Sequence, residues 1–134
     1  MSAKKSKPRL PKAKFVSVAV VVSDRKKALA WYTKTFGLDV LARSDDQAGH
    51  WVVVGRRGQN GGVHICQIRE IDPSLPLEKG PTGILFRLPG DFQSSCAALK
   101  LNGVHFSQPP RKETWGRWAM VTDPDGNEIM LVPG

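Results

Sequence analysis

Only two of the 134 residues are cysteines, Cys66 and Cys96, and they fall in different expected elements. That scarcity excludes a disulfide-stapled scaffold and favours free thiols in a reducing compartment. No apolar run approaches the roughly 18 residues that read as a membrane span, and no apolar segment follows the N-terminal charges as a secretory signal requires. A cytoplasmic protein with no membrane partner is expected. A glycine-rich phosphate loop, a nucleophile elbow and a CxxC pair are missing as well, so the common nucleotide-phosphate, acyl-transfer and dithiol chemistries lack their residues.

Acidic residues are also few, 12 against 20 basic, for a net charge of +8. The imbalance is local. Residues 1–14 hold six basic side chains (Lys4, Lys5, Lys7, Arg9, Lys12, Lys14) and no acid, which leaves fourteen basic against twelve acidic elsewhere. An arm with two prolines and almost no apolar residues cannot offset its ordering entropy and is expected to be a disordered, solvated tail. The competing reading makes the arm a tether to nucleic acid or an acidic partner, but the near-neutral remainder speaks against nucleic acid as a partner.

What is present is 40% hydrophobic and 24% charged, ordinary globular material for one domain over residues 15–134. Phe15 to Ser23 is rich in valine and reads as a buried strand whose Val16, Val18, Val20 and Val22 should meet a helix. Ser23 and Asp24 are N-cap residues, Ala28, Trp31, Tyr32, Thr35 and Phe36 share one helical face, and Gly37 supplies the stop. Three strands follow, at Leu38 to Arg43, His50 to Val54 and Val63 to Arg69.

After a proline-rich linker over 73–81 the pattern recurs. Thr82 to Leu88 is a strand, Asp91 caps a helix with Phe92, Cys96 and Leu99 on one face, and Gly103 ends it. Val104 to Phe106 is a short strand, and Gly116 to Val132 is a hairpin about Asp123-Pro124-Asp125-Gly126-Asn127. Alternation on its return strand separates Glu128, Met130 and Val132 from Ile129 and Leu131. Asp24 to Leu38 thus matches Asp91 to Val104, and the chain reads as an α+β protein of two βαβββ modules, 15–72 and 82–134.

The segments VVSDRKKALAWYTKTFGL and WGRWAMVTDPDGNEIML, set in paired βαβββ units, resemble the vicinal oxygen chelate superfamily of glyoxalases, bleomycin resistance proteins and extradiol dioxygenases. The resemblance implies an incomplete eight-stranded barrel around a cleft, commonly completed by a second subunit, so a homodimer is expected. It also implies His and Glu ligands for a divalent metal at four strand positions. Those positions fall on Ser17, on Gly83 or Ile84 depending on register, with Gly83 preferred because it turns Ile84, Phe86 and Leu88 toward the helix, on Met130, and on Cys66. None is a His or a carboxylate, and no metal or other cofactor is expected. A displaced set from His64, Cys66 and Glu128 is the alternative.

Without an ion the cleft becomes apolar and aromatic. The expected ligand-binding residues are Ser17, Trp51, His64, Cys66, Arg87, Trp115, Trp118 and Met130, and no catalytic residue is expected. Trp51 and Trp118 read equally as core or cleft, whereas Trp115, in a polar loop, should be exposed. Arg87 enters the cleft if Gly83 holds the ligand position, and faces the helix in the other register. The functional expectation is a small-molecule binding protein with a metal-free cleft. The alternative is a metal-dependent lyase, isomerase or dioxygenase of the same superfamily.

Overall fold

Strand β1 (Val18–Val22) buries Val20 and Val22 and turns Ala19 and Val21 to the other side. The valine face expected against a helix stops there: Val18 is 37% and Val16 69% exposed. The strand is shorter than Phe15 to Ser23 for lack of a partner. Its parallel neighbour β4 (Val63–Gln67) begins opposite Val18, and upstream the ring of Phe15 lies over Gly61, where a Cβ would approach to 2.7 Å. This description rests on a computed structural model that covers residues 8–44, 51–67, 74 and 79–134. Residues 8–17 carry no regular secondary structure. His50, Ile68, Arg69 and most of the expected 73–81 linker lie outside the described residues.

Helix α1 (Arg25–Phe36) starts where Asp24 accepts a hydrogen bond from Lys27 N (3.1 Å). It ends at Gly37, whose φ of 63° lets the chain leave the helix without Cβ strain. Ala28 and Tyr32 are buried against the sheet. Strands β2 (Asp39–Arg43) and β3 (Val52–Gly55) complete a four-stranded sheet of order β1-β4-β3-β2.

The second module repeats the order. Strand β5 (Gly80–Leu88), helix α2 (Phe92–Leu101), β6 (His105–Glu113), β7 (Gly116–Thr122) and β8 (Asn127–Pro133) form a sheet of order β5-β8-β7-β6. Strand β6 is much longer than Val104 to Phe106. The β6–β7 register shifts between Gln108 and Arg111, so Pro109 and Pro110, two residues without N–H donors, sit where the ladder is interrupted.

One contiguous core spans both modules, from Val20, Val22 and Tyr32 to Ala119, Val121, Ile129 and Leu131. Across the join, Phe36 of α1 stacks on Phe86 of β5 at 4.5 Å. The fold is the expected α+β pair of βαβββ modules, arranged as two four-stranded sheets and not closed into a barrel.

A buried polar knot also joins the modules. Asp123 is 4% exposed, and its Oδ1 accepts from the backbone N of Asp125 and Asn127 at 2.9 Å each. Its Oδ2 accepts from Tyr32 OH at 2.8 Å and from Asn127 Nδ2 at 2.9 Å. Asn127 Nδ2 also donates to Val21 O at 2.9 Å, and Ser23 donates to Asp125 through both N and Oγ. Burial, and then the Asp123 charge, pushes the Tyr32 phenol far above its ordinary value. It stays a donor at every physiological pH. DPDGN is therefore more than a turn, because it anchors the second module to the first strand and first helix.

Candidate functional site

Each sheet has one face toward the helices and one face open. On β4, Val63 and Ile65 are buried toward α1, so His64 and Cys66 stand on the open face. Trp51 shares that face, since Val53 pairs with His64 and Trp51 lies two residues from Val53. Its ring meets the imidazole edge-on at 6.4 Å. Ser17 lies half-buried just before β1, in step with Ala19 and Val21.

In the second sheet, Ile84 and Leu88 are buried while Leu85 and Arg87 are exposed. Leu85 pairs with Met130, which settles the parity: Gly83, Leu85 and Arg87 alternate away from the helix. This is the register preferred from sequence, with Ile84 and Leu88 toward the helix, and a bulge accompanies it. Pro81 pairs with Glu128 and Leu85 with Met130, so a four-residue step of β5 opposes a two-residue step of β8. Thr82 Oγ1 holds it, donating to Glu128 O (2.8 Å) and accepting from Ile84 N (3.1 Å). Gly83 takes a φ of 79° within it. Arg87 is exposed, so its guanidinium keeps solvent and needs no buried counter-charge.

Met120 pairs with Met130, and Trp118, two residues away, shares their face. Trp115, 64% exposed at the β6–β7 turn, stacks on Trp118 at 6.4 Å and 24°. Trp118 Nε1 is buried with no hydrogen-bond partner.

The eight expected site residues thus stand on open faces or beside them, in two groups. Ser17, Trp51, His64 and Cys66 belong to the first sheet, and Arg87, Trp115, Trp118 and Met130 to the second. No hydrogen bond, ion pair or ring contact among the described residues joins one group to the other. Leu85, 50% exposed beside Met130, is not among the expected site residues, although the preferred register already places it with Gly83 and Arg87.

Cys66 Sγ lies 3.5 Å from His64 Nε2 and 3.6 Å from Nδ1. Burial pushes the Cys66 thiol up, with Arg25 pulling weakly the other way. A neutral thiol beside the imidazole is the resting form. Cys96 is a buried residue of α2, on the helix side of the other sheet, and both cysteines are free.

The metal positions carried over from the resemblance do not fit a divalent ion. Ser17, Gly83, Cys66 and Met130 offer a hydroxyl, no side chain, a protonated thiol and a thioether. The displaced set does not assemble either: His64 and Cys66 touch, but Glu128 Oε2 accepts from Ser107 Oγ (2.9 Å) in the other sheet. No cluster of three or more His, Cys, Asp or Glu suited to a metal occurs among the described residues.

The sequence model of the Glyoxalase/Bleomycin resistance protein/Dioxygenase superfamily matches residues 14–131. The chain belongs to that superfamily. Among solved structures, it is similar to a glyoxalase/bleomycin resistance protein/dioxygenase superfamily member from Sphaerobacter thermophilus DSM 20745, at 30% identity and a TM-score of 0.76, covering 91% of this chain and 98% of that one. TnmS3, an antibiotic binding protein from Streptomyces sp. CB03234, is 31% identical with a TM-score of 0.74, over 93% of this chain and 98% of its own. A glyoxalase/bleomycin resistance protein from the same strain is 34% identical with a TM-score of 0.68, over 88% and 98%. Within the superfamily, the present chain has the paired modules but not the donor residues of a metal site at the positions named above.

Proposed function

We propose that this protein binds a small planar or cationic molecule in a metal-free cleft between open sheet faces, as a cytoplasmic homodimer in which a second copy completes each cleft. The observation that carries this reading is the aromatic lining that faces away from the core. Trp51 is 41% and Trp115 64% exposed, each beside a second ring, and Leu85 and Met130 add apolar surface. Rings placed there contribute little to folding and much to a stacked ligand. The orphaned Trp118 Nε1 supplies a donor for a ligand acceptor, since a buried N–H without a partner costs about 1–3 kcal/mol. The antibiotic binding relative at 31% identity supports a small-molecule ligand.

The test is a tryptophan-fluorescence and calorimetric titration against planar heteroaromatic and cationic compounds. Trp115→Ala is expected to weaken binding at least tenfold while leaving the melting temperature within a few degrees. A large loss of stability with binding retained would return the ring to the core. Elemental analysis of untagged protein addresses the metal: stoichiometric Zn²⁺ or Ni²⁺ that is lost in His64→Ala and Cys66→Ser would sink the metal-free reading.

A further inference from the structure

The β6–β7 hairpin has a second side. Trp118 and Met120 face the open surface, whereas Ala119 and Val121 are buried toward α2, so Arg117 projects on the helix side. There Gln93, Pro110, Arg111, Lys112 and Arg117 line a groove of about 360 Å³ between the first turn of α2 and the hairpin. Three of the five lining residues are cations. Lys112 pairs directly with Arg117 across the two strands. Like charges opposite one another in an antiparallel ladder repel and destabilise the pair.

Acids do not relieve that repulsion. Glu113 is bound to Arg111, Oε1 to Nε at 2.6 Å. Asp91 is occupied as the α2 cap, accepting from Ser94 N (2.8 Å) and Ser94 Oγ (2.7 Å), and feels Arg117 only as a minor influence behind those bonds. Neither Lys112 nor Arg117 has an ion-pair partner among the described residues. A cross-strand pair of cations, held over a concave surface with an amide from Gln93, is a cost to the free protein that an anion removes on binding.

We propose that this groove is a second binding site, separate from the open-face cleft, for a phosphate group carried by a small organic phosphate or by a single-stranded nucleic acid. Arg117 presents a planar fork suited to two phosphate oxygens and Lys112 adds a point charge, whereas Arg111, paired with Trp118 and bound to Glu113, lies along the rim of the groove. The volume exceeds what one phosphate fills, which leaves room for the organic part or for neighbouring nucleotides. No aromatic side chain among the described residues lines the groove, so it reads charge and not base identity.

Calorimetric titration of the full chain at low salt, with pyrophosphate, ADP and a short labelled oligothymidylate as probes, tests the assignment. Saturable binding of at least one probe is expected, weakened about tenfold in Arg117→Gln and abolished in Arg117→Glu. Arg117→Glu should also raise the melting temperature slightly, because it turns a repelling cross-strand pair into an attracting one. That rise separates a lost site from a damaged fold. Tighter binding of ADP than of oligothymidylate assigns the site to small phosphates. The reverse order, with affinity falling linearly in log salt, assigns it to nucleic acid. Unsaturable binding, or binding reduced equally by Lys26→Gln on α1, overturns the proposal.

Discussion

The two modules share one topology and differ in almost everything placed upon it. Both sheets have the order first-fourth-third-second, and both helices start at an aspartate cap. Yet the strands of the first sheet have 4–5 residues and those of the second 7–9. The short sheet carries the thiol, imidazole and Trp51 on its open face. The long one carries the stacked tryptophans and Met130, and its hairpin extends beyond the core to form a groove on the reverse side. Topology is set by residues that face the helices, and open-face positions are left free to change.

The largest break in this comparison should come from the buried polar knot, which joins the modules alongside their shared apolar core. Asp123→Ala strands Tyr32 OH and two backbone donors in a buried place, and is expected to cost more than about 3 kcal/mol by urea denaturation. Tyr32→Phe leaves Asp123 three of its four hydrogen bonds and should cost about 1–3 kcal/mol. If the modules were independent, Asp123→Ala would give two separate unfolding transitions with the first unchanged; one lowered cooperative transition is expected instead.

A smaller effect is expected at Gly83. Its φ of 79° has no counterpart in an L-residue strand, and nothing lies within 4 Å of a Cβ built there. Gly83→Ala therefore meets backbone strain without a clash, for a loss of about 1 kcal/mol. A neutral or stabilising result would mean that the bulge relaxes and the register of Leu85 and Arg87 is soft.

The smallest concerns the two helix caps. Asp24 accepts from one backbone N–H, whereas Asp91 accepts from both N and Oγ of Ser94, and those bonds hold its carboxyl below the usual range. A depressed carboxyl contributes stability above its unfolded value, and that contribution is lost as pH falls through the lower folded value. Wild type should thus lose slightly more melting temperature than Asp91→Asn when acidified below about pH 4. Identical acid limbs would remove Asp91 from the account.

Much of the fold was legible because burial imposes a period. Val20 and Val22, Ile129 and Leu131, and the helix residues Ala28 and Tyr32 stand where alternation or helical spacing puts them. The site was legible only in part. Trp115 reads as exposed from its polar loop, but Trp51 and Trp118 needed the pairings to Val53 and Met120 before their side was known. Strand β6 runs well past Val104 to Phe106, with Pro109 and Pro110 accommodated where its register to β7 shifts.

The sequence by itself determined the repeat, the helix starts and stops, and most of the helix-facing residues, Val16 and Val18 excepted, since each depends on side-chain chemistry or on spacing within one element. The tertiary structure decided the bulge in β5 and its pairing to β8, the Asp123 knot, the division of the site residues into two groups, and the facing of Lys112 by Arg117. Those depend on which strand lies beside which, and on bulges that change parity by pairing unequal lengths of chain, quantities that no local pattern encodes.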